Sequence, residues 1–118
     1  LSRIMLALKA VLADEEDTPT LIFDEIDSGI SGITAGKVAE KLRLIGKRRQ
    51  VICITHLPQI AAAADVHFLI KKEADSCIHL LDKEESVGEL ARLLGGASVT
   101  AHITESAREM KELAKSET

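Results

Sequence analysis

Apolar positions change their spacing several times along the 118 residues of this chain, and each change marks an element. Leu1, Ile4, Leu8, Val11 and Leu12 recur at helical spacing, with Met5 and Leu6 widening the face, which predicts a helix at the start. Its only candidate N-cap, Ser2, has no Glu or Gln three residues later. So apolar a helix with so poor a start suggests a chain cut at or near its first turn. The polar run from Asp14 to Pro19 ends this helix in a solvated loop. Leu21, Ile22 and Phe23 then follow one another without alternation, the pattern of a parallel strand covered on both faces, here Thr20 to Asp24.

Beyond the glycine-bearing loop Ser28-Gly29-Ile30-Ser31-Gly32, Thr34 can cap a helix running to about Gly46, with Val38, Leu42 and Ile45 on its core face. Gln50 to Thr55 repeats the covered-strand pattern. A turn at Pro58 and a short helix through the alanines 61 to 64 come next. Val66 to Lys72 and Cys77 to Asp82 predict a hairpin turning on Glu73-Ala74-Asp75, with Val66, Phe68 and Ile70 on one face opposite Ile78 and Leu80. Ser86 with Glu89 fits a capping box for a helix that stops at Gly95-Gly96. A last helix, about Ala101 to Lys115, turns Ile103, Ala107, Met110 and Ala114 inward. Strands alternating with helices, then a hairpin and two helices, make a layered α/β fold without internal repeats.

Composition narrows what such a fold can do. The chain is long enough to bury a core as one domain, or as a piece of one. Phe23 and Phe68 are its only aromatic residues, too few for the stacking platforms that grip single strands. A formal net charge of −4 argues against a nucleic-acid surface over the molecule as a whole. Lys47-Arg48-Arg49 is a local exception, best read as a helix end that answers the helix dipole and faces solvent. Cys53 and Cys77 lack CxxC spacing and fall in apolar strand patterns, so both are expected buried and reduced, as in a cytosolic protein. No apolar run approaches the roughly 20 residues of a membrane span, and nothing resembles a signal peptide.

The chemistry gathers where two apolar runs end. A buried strand has little reason to finish in two adjacent carboxylates, Asp24 and Glu25, unless they stand in a site. Neighbouring strand residues point to opposite sides, so the two acids serve different purposes. One can reach a magnesium-bound water; the other can face the place of a γ-phosphate and its attacking water. His56 ends the second apolar run and can donate a hydrogen bond to a phosphate oxygen. The interval from Asp24 fits one crossover helix, so the two strand tips can lie side by side, where ligands of open α/β sheets collect. A rival site is rejected. Gly32-Ile33-Thr34-Ala35-Gly36-Lys37-Val38 looks like a phosphate-binding loop but has three residues between its glycines and no Ser or Thr after the lysine.

At these residues the chain resembles the RecN family of bacterial DNA-repair ATPases, relatives of the SMC proteins. Leu21 to Gly32 resembles the family's Walker B and D-loop, Thr55-His56-Leu57-Pro58-Gln59-Ile60-Ala61 its H-loop, and Leu1 to Lys9 the helix after its ABC signature. Glu89 to Gly96 and Ala107 to Met110 resemble its C-terminal end. The resemblance implies the C-terminal lobe of an ABC/SMC-type ATPase head, with ATP and Mg2+ as cofactors. Asp24 would help hold magnesium, Glu25 would polarise the hydrolytic water and His56 would contact the γ-phosphate. Asp27, Ser28, Gly29, Ser31 and Gly32 would reach a second head, and Gln59 would stand by the nucleotide. The implied partners are an N-terminal Walker A lobe of the same protein, a second such head, and DNA through the full-length protein, in the bacterial cytoplasm at the nucleoid. The family's Walker A, Q-loop and signature Ser-Gly-Gly do not occur in these residues, so the chain alone is expected to be inactive. Two competing readings are a non-catalytic head-dimerisation or interaction module, and a metal-dependent nuclease or phosphatase built on Asp24 and Asp27.

Overall fold

The computed structural model describes residues 20–24 and 32–116. The expected first helix, the acidic loop after it and residues 25 to 31 lie outside the described residues. In chain order the elements are β1 (Thr20–Asp24), α1 (Gly32–Gly46), β2 (Gln50–Ile54), α2 (Pro58–Ala62), β3 (His67–Lys72), β4 (Ser76–Leu81), α3 (Lys83–Gly95) and α4 (Ala101–Ser116). The chain divides into two compact units, Leu1–Ile60 and Ala61–Thr118.

In the first unit β1 and β2 pair in parallel, from Thr20 opposite Gln50 to Asp24 opposite Ile54. A parallel pair cannot be closed by a tight turn and needs a crossover; the connection between these strands contains α1. Side chains alternate along each strand, so Leu21, Phe23, Val51 and Cys53 share one face. Phe23 is buried there, and α1 contributes Ala35, Val38, Ala39 and Leu42 to the core, with Ile45 half-buried. The opposite face is open: Ile22, Ile52 and Ile54 are exposed, Ile22 by 57%. The expectation of cover on both faces is therefore corrected. An unbroken apolar run says only that a strand tolerates cover, whereas the cover itself comes from other elements.

Helix α1 starts at Gly32, two residues before the expected cap at Thr34. It ends where Arg48 N–H and Arg49 N–H both donate to Ile45 O, at 3.1 and 2.9 Å. That tightening leaves Lys47 and Arg48 in solvent, as expected of the basic triplet, and Arg49 half-buried. The next short helix begins at Pro58, earlier than expected, because proline at the first helical position has no N–H to lose and a preset φ.

In the second unit β3 and β4 form the expected antiparallel hairpin, with Phe68 opposite Leu80 and Ile70 opposite Ile78. His67 faces Leu81 and His79 faces Leu69, so the two histidines do not pair. The face bearing Phe68, Ile70, Ile78 and Leu80 is exposed. Cys77, expected buried, is exposed on this hairpin, and Cys53 is half-buried; neither forms a disulfide. The core of the unit joins Ala61 and Ala62 to Val87, Leu90 and Ala91 of α3 and Ala107 of α4, with Ile103 and Met110 packed against them. Across the two helices Arg108 grips the carboxylate of Glu84 with both terminal guanidinium nitrogens, at 2.7 and 3.2 Å.

The start of α3 differs from expectation. Its N-cap is Asp82: the carboxylate accepts from Glu85 N–H at 2.8 Å, and Glu85 in return accepts from Asp82 N–H at 3.0 Å. Ser86 and Glu89, the expected box, lie one turn inside the helix and are buried. The helix ends as expected. Gly96 N–H donates to Arg92 O at 2.9 Å, and Gly96 takes φ 59°, ψ −122°, a backbone conformation only glycine adopts readily.

Candidate functional site

The parallel register decides where the candidate chemistry sits. Asp24 closes β1 opposite Ile54, the last residue of β2, and His56 follows two residues later. Both candidate residues therefore stand at the C-terminal edge of one parallel pair. Both residues are exposed, Asp24 on the open face with Ile22. A carboxylate in that position is an acceptor-only group still in contact with water, and a strand-end imidazole can donate through one ring nitrogen.

The chain leaves β2 through a tight polar turn. Leu57 N–H donates to Thr55 Oγ1 at 3.0 Å, a side-chain turn that reverses the chain directly after His56. Pro58 and Ile60 are buried and fix the short helix α2. Gln59 lies between them, and its amide nitrogen stands 3.0 Å from where a Cβ on Gly32 would be. Its other amide atom, Oε1, is buried without a hydrogen-bond partner. The structure thus brings Asp24 to the same edge as His56, and Gln59 to Gly32. Glu25, Asp27, Ser28, Gly29 and Ser31 lie outside the described residues.

The rejected phosphate loop stays rejected on structural grounds. Residues 32 to 37 are the first turns of α1, and Lys37 points to solvent. Among the described residues no three His, Cys, Asp or Glu side chains gather in one place. Asp24 is the hard oxygen donor at this edge, and one or two carboxylates beside phosphate oxygens and water make a common magnesium environment.

A second polar cluster was not foreseen. In the second unit Ser86 is 1% exposed and Lys111 6% exposed. Lys111 Nζ donates to Ser86 Oγ at 2.9 Å, and the same oxygen lies 2.7 Å from His67 Nδ1. Beside it Arg92 holds buried Glu89 through Nε and Nη2. Burial of the imidazole, with help from the Lys111 charge and against Glu89, pushes the His67 pKa below its ordinary value. Burial also lowers that of Lys111, with Lys115 and Lys83 acting in the same direction. The one sequence signal was Lys111 itself, four residues after inward Ala107 on the helical repeat.

No protein-family profile matches the chain. It is 43% identical over 121 residues to the DNA repair protein RecN of Halalkalibacterium halodurans, which covers 98% of this chain and 21% of that protein. RecN of Bacillus subtilis is 42% identical over 115 residues (93% and 20%), and RecN of Treponema pallidum 47% over 116 residues (93% and 20%). The chain spans about a fifth of the length of the curated relatives it matches, in their C-terminal region. A solved structure described under ATP-driven dimerization and DNA-stimulated activation of SMC ATPases superposes with a TM-score of 0.69 at 21% identity, over 82% of this chain and 61% of its own. The fold is thus that of an SMC-type ATPase lobe, as expected from the sequence.

Proposed function

We propose that this chain, which matches the C-terminal region of RecN proteins, is the lobe of a RecN-type ATPase head that supplies the acids and the histidine of an ATP site. The observation that carries the proposal is the placement of Asp24 and His56 at one C-terminal edge of a parallel strand pair. That edge is where ligands of open α/β sheets bind. The gripping of the phosphates falls to a Walker A lobe elsewhere in the full-length protein.

On this reading Asp24 would hold a magnesium ion, which when bound would neutralise charge on the phosphates. Glu25 orients the attacking water and takes its proton. His56 donates a hydrogen bond to a γ-phosphate oxygen. Asp27, Ser28, Gly29, Ser31 and Gly32 face a second head, so that closure of two heads completes each site. The relatives are named DNA repair proteins, which makes recombinational repair of double-strand breaks, at nucleoid DNA in the bacterial cytoplasm, the process this head would drive.

The test uses the full-length protein. Glu25→Gln removes the charge and keeps the shape, so ATP binding persists and closed head pairs accumulate. Turnover falls by about 10²- to 10⁴-fold, the usual worth of a general base. Turnover near the parent's would reject Glu25 as the base. Unchanged turnover in Asp24→Asn as well would leave a non-catalytic docking module as the better reading.

A further inference from the structure

We propose that His67, Ser86 and Lys111 form a proton-sensitive latch between the β3–β4 hairpin and the helices α3 and α4. Protonation of His67 sets two cations against one buried hydroxyl and releases the hairpin. The latch lies within the second unit and is independent of the ATP-site reading.

The hairpin is held thinly. Its outer face, with Phe68, Ile70, Ile78 and Leu80, is exposed. Its inner face begins with His67 opposite Leu81 and Leu69 opposite His79. No residue of β3 or β4 is buried, and the half-buried ones are His67, Leu69 and Leu81, all on the inner face toward the open end of the hairpin. The anchor there is polar. Buried Ser86 of α3 has its Oγ 2.7 Å from His67 Nδ1, and buried Lys111 of α4 donates to the same oxygen at 2.9 Å. One hydroxyl thus ties a strand to two helices.

The surroundings are set against a charge on His67. Lys111 faces it from α4, and Lys83 of α3 and Lys115 of α4 add positive charge around Lys111. Glu89 of α3 acts in the opposite sense but is already held by Arg92. On the hairpin itself His79 and Lys71 share the inner face nearer the tip, where both are exposed. A neutral imidazole can join the shared hydrogen bond without bringing charge. An imidazolium in the same place meets the Lys111 ammonium across a single oxygen, in surroundings that screen poorly. Burial and Lys111 hold the closed His67 below its ordinary 6.5. A released hairpin therefore takes the proton first as pH falls through that value, and closure weakens by up to about 10-fold per pH unit until the lower closed value is passed. Little else opposes release. The outer face is already in solvent, so opening uncovers chiefly Leu69 and Leu81, and α3 keeps its own start because Asp82 caps it.

The experiment follows backbone hydrogen exchange by mass spectrometry in the full-length protein from about pH 7.5 to 5.5, with protection corrected for intrinsic rates, in the parent, His67→Gln and Lys111→Met. The expected result is that protection over residues 67–81 falls by up to about 10-fold per pH unit below 6.5, while residues 87–91 of α3 keep theirs. His67→Gln keeps a hydrogen-bonding side chain without a titrating ring, and holds hairpin protection constant over that range. Lys111→Met removes the second cation and shrinks the fall. Exchange at the His67 ring carbon between the two nitrogens gives its protonation midpoint in the parent alone, so this readout needs no variant to fold; the midpoint is expected below 6.5. A parent hairpin whose protection ignores pH, an equal fall in His67→Gln or Lys111→Met, or a midpoint at or above 6.5 would each overturn the latch. Loss of protection in α3 in step with the hairpin would overturn it as well, since protonation would then be unfolding the unit as a whole.

Discussion

The buried Ser86 hydroxyl serves two basic neighbours at once. Lys111 can only donate to it, and His67 Nδ1 shares a hydrogen bond with the same oxygen. Protonated His67 would place a second donor against the same oxygen, beside the Lys111 ammonium. Both bases are pushed below their ordinary values, 6.5 for histidine and 10.5 for lysine, chiefly by burial. The sign follows from linkage. Above pH 6.5 His67 is neutral folded or unfolded; below it the unfolded chain takes the proton first, and stability falls until the lower folded value is passed. Lys111 behaves alike beginning at 10.5, so stability rises with pH through both windows. Thermal midpoints of this chain should therefore drop from pH 7.5 to 5.5, and His67→Gln should flatten that drop; an unchanged slope would place the titration elsewhere. Ser86→Ala strips both bases of their shared partner and should cost about 1–3 kcal/mol, measured by denaturant unfolding at pH 7.5.

At the scale of elements, the start of α3 shows what a local motif can and cannot say. Asp82-Lys83-Glu84-Glu85-Ser86-Val87-Gly88-Glu89 contains two overlapping capping patterns, Asp82 with Glu85 and Ser86 with Glu89. The hairpin decides between them: β4 ends at Leu81, so the helix can begin at once, and the turn that follows carries Ser86 inward to Lys111. Asp82→Ala should cost about 1 kcal/mol, while Glu89→Ala should leave the cap intact and instead release Arg92. Gly96→Ala forces a Cβ into a positive-φ conformation and should cost roughly 1 kcal/mol or more. Equal losses at Asp82 and Glu89 with no change in helix fraying would contradict this assignment of the cap. The hairpin register, the parallel strands and the end of α3 were legible in the sequence because period-2 alternation, unbroken apolar runs and a Gly-Gly stop are each local signals. The edge holding Asp24 and His56 was legible for the same reason, as two apolar runs each ending in a polar group. The open face of Ile22, Ile52 and Ile54, the exposure of Cys77 and the contact of Gln59 with Gly32 were not. Each depends on which distant element arrives, and residue spacing carries no record of that.

Over the whole molecule, two apolar faces and one missing motif point to the same behaviour. Phe68, Ile70, Ile78 and Leu80 are exposed side by side on the hairpin, Phe68 by 55%, and Ile22, Ile52 and Ile54 are exposed on the parallel pair. Neighbouring exposed apolar side chains of this kind are unusual on a protein that works as an isolated monomer. The chain matches only about a fifth of the length of its RecN relatives, and its stretch from Gly32 to Val38 has the wrong spacing for a phosphate loop and is helical. Produced alone, these residues should bind a dye that reports exposed apolar surface and should sediment as larger species as concentration rises. Phe68→Lys with Ile78→Lys should reduce both effects, since charge on the hairpin face opposes stacking without touching the Val87–Leu90–Ala107 core. ATP turnover by the same preparation should stay at the no-protein background, because acids and a histidine without a phosphate grip have nothing to act on. A monomeric chain that ignores the dye would show that its apolar faces are satisfied internally. Magnesium-dependent DNA cleavage without ATP would move the chemistry of Asp24 from phosphoryl transfer on a nucleotide to a nuclease.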